Sequence, residues 1–411
     1  MRKHIVAFVL LALLAAACST KSTTGTGSSS SPSAPASAQP QGPQTFGVTL
    51  DGKTDAFNGE FGTFFPNSLS AHAGDTINFS LPRFSGVPHT VTLGTLVDKG
   101  VAKYQALGVT ASFFAQENAP EVLNLPDIFP HTAPKGPPDP NHSAGEPCYL
   151  STGVPPLSLS GGAPACPKTA QPDFDGTQSF YNSGALAKDG DSFSVKLAGT
   201  IKPGNYSVIC LVHRGGMTAN ITVAPPSTNV DTPAQVAAAG TQQLADVVAR
   251  MTPLAQAAQV TATTSTAIAV GSFDTRSDNV IADFGPKSLS VPVNSKVTFS
   301  FAAFHTLAFN APDSAVGILT RDPNGVVHFG AAGAPVGWAV PPVFGAFPPP
   351  ETQKAATADL GSYSGSGFRN TGIVGSLPPA IYSVTVKFTQ KGTVPIRCLI
   401  HPEMKGEVKV G

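Results

Sequence analysis

The chain has 411 residues, room for two or three domains. Its 25 Lys+Arg balance 25 Asp+Glu, so the formal net charge is zero and a broad electrostatic grip on nucleic acid is excluded. Charged residues are only 12%, against 41 Gly and 39 Pro; with long Val/Thr/Ser/Phe stretches, this is the composition of an all-β protein with long loops.

The N-terminus reads as an export signal over residues 1–18: "MRK" carries positive charge, "HIVAFVLLALLAAA" is apolar but short for a membrane span, and small residues precede Cys18. Small residues before a Cys resemble the lipobox of bacterial lipoproteins, although Ala15 stands where Leu is usual. The resemblance implies lipidation at Cys18; the alternative is an ordinary secretory signal with an incidental Cys. The Ser/Pro/Gly tract over 19–44 cannot bury a core, reads as a flexible tether, and favours the lipid anchor.

A first domain is expected over 45–225. Its strands alternate with period 2 in "DTINFSL", "DSFSVKLAG", "NYSVICLV" and "TANITVA". Between His89 and the last strands lies an insertion, about 94–179, rich in Pro and carrying Cys148 and Cys166. Loops this long are usually functional or disordered. With Cys18 lipidated, four cysteines remain in an oxidising compartment, and two disulfides would be the plain arithmetic. We expect a single bridge, Cys148 to Cys166, because Cys210 and Cys398 have another use.

A linker follows over 226–269. Thr232 and Pro233 form a helix start, and Leu244, Val247, Val248 and Met251 share one helical face. The pattern predicts a helix over about 233–251, stopped near Pro253, with its apolar stripe against the flanking domains. The second domain, 270–411, repeats the alternation in "KVTFSF", "IYSVTVKFT", "VPIRCLI" and "GEVKV", with its own insertion over about 311–366. The aromatic and Pro content of both insertions predicts that they pack over a face of each sandwich or meet between the domains.

The two halves are one unit repeated. "VICLVHRGGM" and "RCLIHPEM" put Cys210/His213 and Cys398/His401 at a constant offset of 188, which also maps "FYNSG" at 180–184 onto "FRNTG" at 368–372. Upstream, "PNSLSAHAGDTINFS" at 66–80 resembles "PKSLSVPVNSKVTFS" at 286–300, and each half then reaches a His, His89 or His305. Two tandem Greek-key β-sandwiches follow from this pattern.

Each half thus gathers a thiolate, imidazoles and a thioether: soft sulfur donors and nitrogen donors that together suit copper. Two His and a Cys in a plane with a long axial Met make a blue-copper electron-transfer centre. On these residues the chain resembles the cupredoxins, among them plastocyanin, pseudoazurin and amicyanin. The resemblance implies two type 1 copper sites, one at His89, Cys210, His213 and Met217, the other at His305, Cys398, His401 and Met404. The Met follows the loop His after three intervening residues in the first site and two in the second, the second spacing looking like amicyanin's. Val212 or Ile400 precedes the loop His where many relatives have Pro. The family exposes the edge of the loop His, which makes His213 and His401 the expected electron ports. Of the remaining histidines, His4 lies in the signal, and His72, His131, His142 and His328 lack partners at ligand spacing.

Two-domain copper enzymes share this fold but need further copper, held by His-x-His pairs and by a His beside the Cys. No His-x-His occurs here, and the neighbours are Ile209 and Leu211, or Arg397 and Leu399. The reading is therefore a carrier, not an enzyme: a membrane-tethered, extracytoplasmic electron-transfer protein with no small-molecule substrate and no nucleic acid, meeting a redox partner by weak, transient docking. Copper storage or delivery is the alternative, and an adhesive surface module a third.

Overall fold

The computed structural model describes residues 42–106, 171–178, 181–184, 186–210, 213–260, 266–274, 277, 279–317, 319–321, 327–329, 336–338, 356–376 and 382–411. Cys18, Cys148, Cys166, His131 and His142, with the signal, lipidation and disulfide expectations, lie outside them.

Alternating strands build both halves. In Thr76–Leu81, Ile77, Phe79 and Leu81 point inward; in Lys296–Phe301, Val297, Phe299 and Phe301 do the same. In the first half one sheet runs Phe64–Phe65, Thr45–Leu50, Thr76–Leu81, Asp191–Lys196, and the other Ser68–Ala71, Arg214–Val223, Gly204–Cys210, Thr92–Leu93, Tyr181–Asn182. The second half repeats the latter order strand for strand: Ser288–Val291, Lys405–Val410, Gly392–Arg397, Ala308–Phe309, Arg369–Asn370. Facing sheets enclose a separate apolar core in each half.

The repeat is broken in the other sheet. Its order is Ala356–Tyr363, Tyr382–Phe388, Lys296–Phe301, Ala267–Phe273, Asn279–Gly285 and then Gly59–Phe61, a strand from the first half. Gly59–Phe61 pairs antiparallel with Asn279–Gly285, Glu60 opposite Val280. An arm of the first half thus completes the edge of the second half's sheet.

Two helices are described, α1 (Thr95–Ala106) and α2 (Pro233–Val260). Among the described residues no helix is long and apolar enough to cross a membrane. Helix α1 lies within the first insertion, for which the sequence pattern predicts no helix. It buries Val97, Val101 and Tyr104, and Asp98 accepts the Ser207 amide at 2.7 Å. In the second insertion Trp338 packs on Phe309, ring centroids 5.2 Å apart. Helix α1 and Trp338 thus each pack on their own sandwich.

Helix α2 starts where expected, in a capping box: the Gln235 amide donates to Thr232 Oγ1 at 3.3 Å and the Thr232 amide to Gln235 Oε1 at 2.8 Å. It does not stop at Pro253 but runs on to Val260. Tertiary contacts outweigh the lost hydrogen bond. Phe57, Phe61 and Phe65 from the arm, Val247 and Met251 from α2 and Ile281 from the second half form one buried cluster. Beyond Pro253, Gln259 Nε2 donates to the Phe284 carbonyl at 2.8 Å and anchors the last turn. Each of those apolar side chains contributes about 1.5–3 kcal/mol on burial, so the junction is itself a core.

Candidate metal centres

In each half, four short elements meet at one end of the sandwich. The strand Gly204–Cys210 ends on the Cys, His213 follows in the turn, and Met217 lies where Arg214–Val223 slips register against its neighbour, between Arg214 and Thr218. That bulge absorbs the longer His-to-Met spacing. In the second half Cys398 to Met404 form a tight loop between Gly392–Arg397 and Lys405–Val410, closed by the Cys398 amide to the Met404 carbonyl at 3.0 Å and the Met404 amide to the His401 carbonyl at 3.0 Å.

The distant histidines arrive as the repeat demands. Cys210 Sγ lies 4.0 Å from His89 Nδ1 and 3.5 Å from His213 Nδ1. Cys398 Sγ lies 3.8 Å from His305 Nδ1 and 3.6 Å from His401 Nδ1. His305 Nδ1 and His401 Nδ1 are 3.1 Å apart. A late first-row metal about 2.0 Å from nitrogen and 2.3 Å from sulfur, in a trigonal plane, separates N from S by roughly 3.8 Å. Both donor sets fit such an ion. Met217 and Met404 are fully buried in the same apolar clusters as Cys210 and Cys398.

The repeated "F-x-N-[ST]-G" stretch now has a reason. Ser183 Oγ accepts the Val91 amide at 2.8 Å and Thr371 Oγ1 accepts the Leu307 amide at 3.0 Å. Each clamps the residue two beyond the distant His. The residue between donates to sulfur: the Thr90 amide to Cys210 Sγ and the Thr306 amide to Cys398 Sγ, both at 3.3 Å. An N–H donor favours the thiolate.

Second-layer partners distinguish the sites. All four Nδ1 atoms face sulfur, so the Nε2 atoms point away. His213 Nε2 donates to Glu60 Oε1 at 2.8 Å, and His401 Nε2 donates to Glu60 Oε2 at 2.9 Å. His89 Nε2 lies 3.6 Å from Asp51 Oδ2, an ion-pair contact longer than a hydrogen bond. His305 Nε2 is buried without a hydrogen-bond partner and lies against Gly271, whose backbone has φ +78°. A carboxylate on Nε2–H fixes the tautomer that leaves Nδ1 free to bind metal.

Burial opposes charge on every one of these groups, and at all but His305 the partners override it. Facing imidazoles hold Cys210 and Cys398 well below the ordinary thiol range. The Cys sulfur and Glu60 hold His213 well above the ordinary histidine range and push His401 up to about 10. His213 and His401 in turn hold Glu60 far below the usual carboxylate range. Asp51 and Cys210 raise His89. For His305 burial prevails and lowers it.

One expectation is corrected. His213 and His401, the expected electron ports, are 7% and 2% exposed. The two loop edges turn toward each other around Glu60 instead of toward solvent. Gly86, three residues before His89, is pressed against the Ile400 carbonyl, and Val87 packs on the second half's core. Sequence reasoning missed Glu60 and Asp51. Glu60 left one signal, a lone acid among four Phe in "FNGEFGTFF". His72, set aside as a ligand, bonds the Thr228 carbonyl through Nε2 at 2.8 Å.

No family model matches the chain, and no curated protein matches it. Cupredoxins are among the solved structures similar to it. Auracyanin A, a "blue" copper protein from Chloroflexus aurantiacus, is 12% identical, with 44% of this chain and 100% of that one covered and a TM-score of 0.22. Auracyanin from Roseiflexus castenholzii is 15% identical over 45% and 99%, TM-score 0.20. A purple cupredoxin from Nitrosopumilus maritimus is 14% identical over 36% and 100%, TM-score 0.18. A likeness with TM-scores this low bears no weight for function; what speaks for a metal is the pair of donor sets.

Proposed function

We propose that the protein is an extracytoplasmic electron carrier holding two type 1 copper ions, one at His89, Cys210, His213 and Met217, the other at His305, Cys398, His401 and Met404. The observation that carries this reading is the twofold occurrence of one donor set: two buried imidazole Nδ1 atoms and one buried sulfur, within 4.8 Å of one another in each half. Copper bound there supplies a one-electron couple between Cu(I) and Cu(II). The chain's residues do the rest. The clamps at Ser183 and Thr371 fix the distant histidines, the Thr90 and Thr306 amides hold the sulfur negative, and the apolar clusters exclude water from all donors.

Burial of both loop histidines favours a carrier over a storage or delivery protein, because a metal to be handed over needs an exposed edge. It also means that a redox partner, docking weakly, exchanges electrons through a face other than the His213 and His401 edges. The leader-like N-terminus with its Ser/Pro/Gly tract supports secretion and tethering at Cys18.

The test is the visible spectrum of the Cu(II)-loaded protein with wild type, Cys210→Ser and Cys398→Ser compared. Two sites of similar extinction predict that each single variant keeps about half of the intense band that thiolate ligation confers. A colourless wild type refutes the proposal; a band lost wholly in one variant reduces it to one site.

A further inference from the structure

Glu60 is the residue for which neither sandwich has a use. It sits on the arm strand Gly59–Phe61, is 5% exposed, and lies next to the apolar cluster of Phe57, Phe61, Phe65, Val247, Met251 and Ile281. A carboxylate in such a place costs several kcal/mol unless it is paired and hydrogen-bonded. Its two oxygens are each used once: Oε1 accepts from His213 at 2.8 Å, Oε2 from His401 at 2.9 Å. One carboxylate therefore joins a histidine of each donor set, and the Glu60–Val280 register on the sheet edge fixes its position.

We propose that Glu60 couples the redox states of the two centres, so that they act as one interacting pair and not as two independent carriers. The inference rests on the copper reading above. A histidine bound to metal through Nδ1 becomes a stronger Nε2–H donor when its metal loses an electron. It then draws on the shared carboxylate, which becomes a poorer acceptor for the histidine of the other site. Oxidation of either centre thus makes oxidation of the other harder, and the effect is reciprocal by thermodynamic necessity. With copper held at both centres, the same contact would give one electron a path from a Cu(I) at one to a Cu(II) at the other. The first would be oxidised and the second reduced by one electron, with no bond broken and both protons kept on Nε2. Glu60 touches neither metal in this scheme and is a positioning residue.

The test is a thermodynamic cycle on the full chain loaded with copper. The potential of the second centre is measured alone, in Cys210→Ser, and beside an oxidised neighbour, in wild type, where the better-reducing first centre has already lost its electron. The difference is the coupling. We expect it to correspond to about a tenfold change in equilibrium constant, ~59 mV for one electron. Glu60→Ala, in the wild-type and Cys210→Ser backgrounds saturated with Cu(II), should abolish the difference. The isosteric Glu60→Gln, whose amide oxygen satisfies one imidazole and whose NH2 opposes the other, should reduce it. A second readout uses the diamagnetic Cu(I) protein: the Nε2 protons of His213 and His401 should both shift in Glu60→Gln. A coupling as large in both Glu60 variants as in wild type overturns the proposal alone. A shift confined to one histidine does the same. A colourless wild type overturns the copper reading, and the coupling with it.

Discussion

If the two loop edges are locked together, the tightest point of the lock is Gly86, and Gly86→Ala should break it. A Cβ built there falls 1.9 Å from the Ile400 carbonyl oxygen, 2.8 Å from the Ile400 carbonyl carbon and 3.0 Å from His401 Cα, all backbone atoms that cannot rotate away. The residue also holds φ +122°, a conformation that costs an L-residue about 1–2 kcal/mol. Overlap with fixed backbone adds about 1–3 kcal/mol, so the variant should lose roughly 2–5 kcal/mol in all. Gly190→Ala separates the two contributions: it has φ +81° and nothing within 4 Å of the added Cβ, so it carries the backbone cost alone. Denaturant titration of both variants, read as the shift in midpoint at constant slope, measures the difference. Because the overlap strikes the loop of the second half, the visible band lost in Cys398→Ser should also be the one Gly86→Ala perturbs. Equal destabilisation of the two variants, with both bands unchanged, would show that the halves do not meet as described.

Three further outcomes are expected. In Gly271→Ala the new Cβ falls 2.0 Å from His305 Nε2, so the spectrum should match that of Cys398→Ser, with stability lower by about 1–3 kcal/mol. In Asp51→Asn, which keeps an oxygen for the Phe61 amide but removes the charge beside His89, the first centre should hold Cu(II) about 10- to 100-fold more weakly, and its potential should rise while the second stays put. In chelator-treated protein, stability against pH should show a plateau. Free histidine titrates near 6.5 and free thiol near 9.0. Between those values the folded imidazolium–thiolate pair and the unfolded neutral pair bind equal numbers of protons, so these pairs add no slope, and only His89, also raised, tilts the low-pH end of the plateau, stability falling slightly as pH rises until it titrates. Below 6.5 the unfolded thiols keep protons that the folded thiolates refuse, and stability falls as pH falls. Above 9.0 the folded histidines keep protons that the unfolded chain has lost, and stability falls until His401 titrates at about 10. Urea titrations across pH 5–10.5 check this; a maximum confined to pH 5–6 would contradict the thiolate assignment.

The donor sets were legible because repetition exposes them. Cys210 and Cys398 stand at one offset, and the strand around each alternates so plainly that its end, hence the position of the Cys, follows. The helix was legible at its start, where Thr232, Pro233 and Gln235 act locally, and not at its end, where Gln259 and Phe284 decide between stopping at Pro253 and continuing. The burial of His213 and His401 was not legible at all. It depends on Gly59–Phe61 pairing with a strand more than 200 residues away, and no local pattern encodes a partner at that distance. The family resemblance pointed the wrong way here, since an exposed loop His belongs to a lone domain and this chain stacks two.

The arm also explains why two copies of a domain would behave as more than their sum. A duplicated sandwich by itself yields two equivalent sites, each with its loop His facing solvent. Residues 51–65 have a different task in the two halves, because only the first half's copy crosses to the neighbour's sheet. That crossing brings Glu60 to His213 and His401, while Asp51 meets His89 within the first half and His305 Nε2 has no hydrogen-bond partner. A carboxylate near a ligand favours the more positive oxidation state of the metal that the ligand holds. The first centre has two such carboxylates and the second shares one of them, so the first should be the better reductant of the pair. Electrons would then run from the Cys210 centre to the Cys398 centre, in a direction set by the one segment that the duplication did not leave symmetric.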